Sequence, residues 1–160
     1  MIQAITETNL LAYLQTEDNR INTSVASSQI AFLFKFTNDM DKSVQYYYPT
    51  NWDIYNRYTS FVFTYGTPTN LYTGKINFLP SGYWKYEVYE VSWTGTLTVS
   101  AGNAPATETD VLTPPAATKG IVQGLVTKGK MYVAPKDGTE QVQYVERSAP
   151  ASTNYIYYGQ

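Results

Sequence analysis

The side chains with chemical potential are few: carboxylates at Asp39, Asp41, Glu87 and Glu90, tryptophans at positions 52, 84 and 93, and a large supply of tyrosine. Asp39 and Asp41 stand two apart beside Asn38 and offer the oxygen ligands a hard cation takes, but the further ligands and closing glutamate of a calcium loop do not follow. Asn-Asp is also what a hairpin turn requires for backbone reasons, and the turn reading is adopted. Glu87 and Glu90 lie in an alternating segment at an odd spacing, so they point to opposite faces and cannot act as an acid/base pair with one another. Glycoside hydrolysis needs two carboxylates facing one site; Asp53 and Asp137 stand in separate loops, and nothing in the sequence selects them. Gly120-x-x-x-Gly124 lacks the Gly-Lys-Ser/Thr ending of a phosphate loop. The chain has no His and no Cys, which removes the usual general base, the commonest metal ligands and every Ser-His or Cys-His nucleophile. No catalytic residue, metal ligand or cofactor is therefore assigned, and the chain is expected not to be an enzyme. Trp52 and Trp93, in or near loops, are candidate ligand-facing aromatics of a carbohydrate-binding surface, whereas Trp84 reads as core.

What remains is contact chemistry. Aromatics make up 16% of the 160 residues, mostly as 16 Tyr, while charged residues make up 15%, against about 25% in ordinary soluble chains. Part of that tyrosine must lie at the surface, where it offers large contact area, little entropy to lose and a polar tip. Strand propensity is an equally good reason for so much Tyr. A net charge of -2 with scattered basic residues argues against a nucleic-acid footprint. No apolar run approaches the ~20 residues needed to cross a bilayer, and Met1–Glu7 lacks the basic and apolar regions of a signal peptide. Neither a membrane nor export by the ordinary route is expected.

The elements that must position these groups alternate with period two. Ile30, Phe32, Phe34 and Phe36 share one face of a core strand, and Asn38–Lys42 turns it into Ser43–Pro49 as a hairpin. A loop carrying Trp52 and Asp53 leads to a third strand at 56–65, and Lys75–Leu79 gives a short one. Pro80 and Gly82 punctuate a corner before 83–92, in which Trp84, Tyr86 and Val88 face inward; an aromatic two residues after such a glycine is where immunoglobulin-like sandwiches lock an incoming strand. A weaker strand is expected at Thr96–Ser100, then a Pro/Ala/Thr-rich loop over 102–118, then β structure from Gly120 to Val133 with a turn or bulge at Gly129. The expected fold is all-β: a single antiparallel β-sandwich, immunoglobulin-like, with a body at 29–134, an extended N-terminal arm at 1–28 holding a short strand, and a C-terminal tail at 135–160. Leu10, Leu11, Tyr13 and Leu14 of the arm and Tyr155, Ile156, Tyr157 and Tyr158 of the tail are the expected protein-interface residues, the tail either folding back as an edge strand or docking on another subunit.

Four blocks occur in order: Phe32-Leu33-Phe34-Lys35-Phe36-Thr37-Asn38-Asp39-Met40, Asn56-Arg57-Tyr58 with Phe61, Gly82-Tyr83-Trp84-Lys85-Tyr86-Glu87-Val88-Tyr89-Glu90, and Gly129-Lys130-Met131-Tyr132-Val133. Over residues 30–133 the set resembles a group of small structural proteins of tailed bacteriophages. The resemblance implies a non-enzymatic virion subunit, assembled in the host cytoplasm. Its partners would be copies of itself and other virion proteins of the portal and neck, capsid or tail. The resemblance does not fix the place in the particle; an arm and a tail that are costly to leave unpaired in solution suit a symmetric ring, so the head–tail neck or collar is preferred over capsid decoration. The Ala/Thr/Pro-rich insertion and the segment after Val133 depart from the pattern.

Overall fold

The computed structural model describes residues 1–137, so the interface expected at Tyr155–Tyr158 lies outside the described residues. The strands in chain order are β1 (Ile2–Ile5), β2 (Leu10–Leu14), β3 (Ile30–Asn38), β4 (Val44–Tyr47), β5 (Asn51–Ile54), β6 (Thr59–Tyr65), β7 (Lys75–Ile76), β8 (Gly82–Ser92) and β9 (Ile121–Ala134). They form two sheets, β1-β9-β8-β3-β4 and β2-β6-β5, with β7 beside β6. The sheets pack face to face as a sandwich. Both are mixed, because β1 runs parallel to β9 and β7 parallel to β6; the wholly antiparallel expectation is corrected here.

Alternation builds the inner layer. Phe32 and Phe34 of β3 meet Phe61 and Phe63 of β6 edge to face, with ring centroids 4.9–5.2 Å apart, the arrangement that suits aromatic quadrupoles. Phe78 and Trp84 close one end of this core, and the Trp84 indole Nε1 donates to the Pro80 carbonyl at 3.2 Å, fixing the corner before β8. The β3–β4 hairpin pairs Phe34 with Tyr47 through Thr37 with Val44. Its turn is held by the Asn38 side-chain oxygen, which accepts from the amides of Met40 at 2.7 Å and Asp41 at 3.3 Å.

The segment read as an arm is largely built into the sandwich. β1 pairs with the end of β9, and β2 pairs antiparallel with β6, Leu10 opposite Phe63. The signal is a period-two apolar set, Ile2/Ala4 and Leu10/Ala12/Leu14, buried at alternate positions but too short to stand out from its Thr- and Asn-rich surroundings. The remainder to Gln29 is a loop with two 3-10 turns. Buried Glu90 anchors it by accepting from the amides of Ile21 and Asn22, both at 2.9 Å, and the Thr16 and Thr59 hydroxyls meet at 2.7 Å.

Three further expectations change. Asn51–Ile54 is a strand, with Trp52 opposite Phe61. Thr96–Ser100 is not a strand: residues 93–120 run irregularly across the outer face of the first sheet, and Leu97, Val99 and Ala104 pack there with Leu33, Val91 and Trp93. Prolines 105, 114 and 115 forbid a ladder, but β3 is apolar on its outer face as well, so an irregular cover still buries Ala31 and Leu33. The bulges of β9 lie around Gly124, whose φ is +147°, and not at Gly129, which sits in regular register under the Tyr86 ring. Among the described residues no helix is long and apolar enough to cross a membrane.

Candidate functional site

The residues expected at an interface separate by strand parity. In β2, Leu10 and Leu14 point into the core and are buried, so they are not available to a partner; Leu11 and Tyr13 point outward and are 52% and 60% exposed. The same geometry brings in tyrosines not among the expected interface residues. Tyr13 lies opposite Ser60, next to the β5–β6 turn, and its ring meets Tyr58 edge-on at 5.6 Å. Tyr58 meets Tyr55 at 4.9 Å across a tight turn in which the Tyr55 amide donates to the Tyr58 carbonyl at 2.9 Å. All three phenol rings are exposed. The sequence signal was Tyr-x-x-Tyr at the ends of a hairpin loop, hidden because β5 was read as loop.

A second aromatic pair lies on the first sheet. Tyr83 of β8 and Tyr132 of β9 face each other across the ladder with centroids 5.1 Å apart, next to exposed Ile5 of β1. Between the two aromatic patches the edges of the sheets run side by side: β1 ends the first sheet and β2 ends the second. Two hollows of about 340 and 480 Å³ lie along this flank, the first lined by Gln3, Ala12, Tyr13 and Tyr86, the second by Gln3, Ile5, Leu11 and Tyr132. Neither β1 nor β2 contains a charged residue or a proline, the features that usually blunt an exposed edge.

The tryptophans take other places. Trp93 is fully buried and its Nε1 donates to the Thr118 carbonyl at 3.1 Å, so it pins the irregular cover and is not ligand-facing. Trp52 is half-buried in β5 with its ring against both cores. Comparison with protein-family models, with curated proteins and with solved structures finds no match for this chain.

A polar cluster of titratable groups, Lys35, Tyr46, Glu87, Tyr89 and Glu108, lies on the outer face of the first sheet. The Lys35 ammonium and the Tyr46 hydroxyl each donate to Glu108 at 2.5 Å, and Lys35 stands 3.6 Å from Glu87. Its hydrogen bond with Glu108 lifts Lys35 above its usual range. Burial, reinforced by Glu108, pushes Tyr46 up to about 12. Burial pulls Glu108 upward, but the bonds from Lys35 and Tyr46 outweigh it and hold the carboxyl below its ordinary 4.5. Each of these pKa values moves further from pH 7, the opposite of what a general acid or base needs. The cluster is a latch that ties the 104–110 stretch to β3 and β4. It was not legible in the sequence, since Glu108 and Asp110 sit in a Thr/Ala/Pro-rich stretch far from Lys35 and Tyr46.

Asp39 and Asp41 are engaged by the hairpin: Asp41 accepts from the amide and hydroxyl of Ser43 at 2.9 and 2.7 Å, and Asp39 faces Lys85 at 3.4 Å. Among the described residues no three His, Cys, Asp or Glu side chains converge as a metal site.

Proposed function

We propose that this chain is a non-enzymatic assembly subunit, a structural component of a tailed-phage virion that acts by packing against copies of itself and other virion proteins. One observation carries the reading: the exposed Tyr13/Tyr58/Tyr55 cluster, with Leu11 beside it, adjoins two uncharged edge strands. Tyrosine-rich, charge-poor surface and open strand edges are the means by which proteins add area and main-chain hydrogen bonds to one another. The virion assignment rests on the ordered blocks of residues 30–133, and the preference for the head–tail neck over the capsid surface rests on the aromatic Tyr155–Tyr158 segment, which suits a symmetric ring where each copy covers the next.

An immunoglobulin-like plan, of the variable type, belongs to the same reading. In that plan the sheets run G-F-C-C′-C″ and A-B-E-D; β9-β8-β3-β4 follows G-F-C-C′ and β2-β6-β5 follows B-E-D, while β1 on the β9 edge and β7 beside β6 are additions. Trp84 bonding back to Pro80 stands where the plan places its corner tyrosine. The insertion at 93–120 then occupies the F–G connection.

Carbohydrate binding through tryptophan is the weaker reading, because Trp93 is interior and Trp52 half-buried. Quantitative mass spectrometry of purified particles tests the proposal. A copy number of about a dozen fits a neck ring and hundreds fit a shell; absence of the chain from particles overturns the virion assignment.

A further inference from the structure

The flank between β1 and β2 has the form of a receiving groove, and its position relative to the end of β9 restricts what fills it. Both rims are terminal strands: β1 is hydrogen-bonded only to β9 and β2 only to β6, so along each the outward main-chain groups have no strand partner among the described residues. Its walls are mixed, with Leu11 and Tyr13 on one side, Ile5 and Tyr132 on the other, and polar groups from Gln3, Thr8 and Asn9 between them. The chain also leaves the described region at this groove. The Thr6 amide donates to the Ala134 carbonyl at 2.8 Å, the Lys136 amide donates to the Thr6 hydroxyl at 2.8 Å, and the Lys136 ammonium pairs with Glu7 at 3.2 Å. Beyond Asp137 stand residues 138–154, then Tyr155-Ile156-Tyr157-Tyr158.

We infer that this groove receives the Tyr155–Tyr158 segment of a second copy of the chain as an added strand. The inference rests on the assembly reading above and specifies the contact through which it works. Lengths allow the second copy: the 17 residues of 138–154 reach about 55–60 Å when extended. A domain of this size is about 40 Å across, so the reach matches the step to the same groove on a neighbour. The chemistry agrees: a strand laid on the β2 edge gains main-chain hydrogen bonds, and alternate Tyr and Ile side chains fill hollows walled by Leu11, Tyr13 and Tyr132. Exit point and groove lie on one copy, so the contact closes as a reciprocally exchanged dimer or a larger ring, or runs on as a filament.

The native chain lacks cysteine, which makes disulfide trapping clean. Q3C and Y157C chains, each carrying one substitution, are co-expressed with different tags and oxidised, and the full-length chain is compared by mass photometry with one truncated after Asn154. Expected are a mixed-tag disulfide dimer and loss of the oligomer on truncation. A truncated chain that stays oligomeric, with no mixed-tag disulfide, overturns this inference while leaving assembly through another surface. A full-length chain that is monomeric at every concentration, with an internal disulfide in the Q3C/Y157C double variant, overturns both.

Discussion

Where β4 crosses to β5, the sandwich is sealed by its own chain: the Tyr48 amide donates to the Leu71 carbonyl at 2.8 Å, the Thr50 hydroxyl donates to Thr73 at 3.1 Å, and Gly74 packs directly on the Thr50 amide. Buried Tyr48 extends its hydroxyl to the Pro105 carbonyl at 2.8 Å, linking this flank to the irregular cover. Where β1 crosses to β2, the strands are equally well seated in their sheets, but no loop among the described residues covers their outer edges and the exposed side chains include Ile5, Leu11 and Tyr13. One flank is committed to stability, and in the function proposed above the other is left for contact. Mutations on the first should unfold the protein, and mutations on the second should leave it folded but alone.

The largest effect is expected from Tyr48→Ala, which removes a fully buried ring and its hydrogen bond; urea unfolding should show a loss of about 3–5 kcal/mol. Gly74→Ala follows at about 2 kcal/mol, because φ is +67° and a Cβ would run into the Thr50 backbone. Thermal unfolding reads this directly, and a neutral outcome would show that the β4/β5 flank is looser than its contacts imply.

Glu108→Gln should cost about 1 kcal/mol near neutral pH by weakening the latch. Because the folded state holds this carboxyl below its ordinary 4.5, its contribution is present above that value and is lost as pH falls through the folded value. The parent should therefore lose stability on acidification more steeply than the variant, and identical stability–pH curves would remove the latch from the account.

The inner layer was legible because Ile30–Phe36 and Trp84–Val88 carry long alternations that few other structures satisfy. The open flank was not. β1 and β2 have four and five residues, and whether such a stretch is an arm or a strand depends on whether a distant edge is free to take it, which no local pattern encodes. Of the residues expected to make contacts, Leu10 and Leu14 were lost to the core by strand parity, while Leu11 and Tyr13 kept their exposure and gained Tyr55 and Tyr58 as neighbours. Trp93 was misplaced because an irregular segment can still bury an indole once its N–H finds a carbonyl, here that of Thr118.

The smallest effect on stability, and the most telling contrast, is expected on the open flank. Leu11→Ser, Tyr13→Ser and Tyr58→Ser alter exposed side chains, and each should shift stability by only about 0.5 kcal/mol. The decisive measurement is sedimentation velocity of the parent and the combined triple variant across a concentration series, with unfolding midpoints recorded on the same samples. The account predicts a parent that associates and a folded variant that stays monomeric. A folded variant that associates as the parent does, or a parent that never associates, would contradict it.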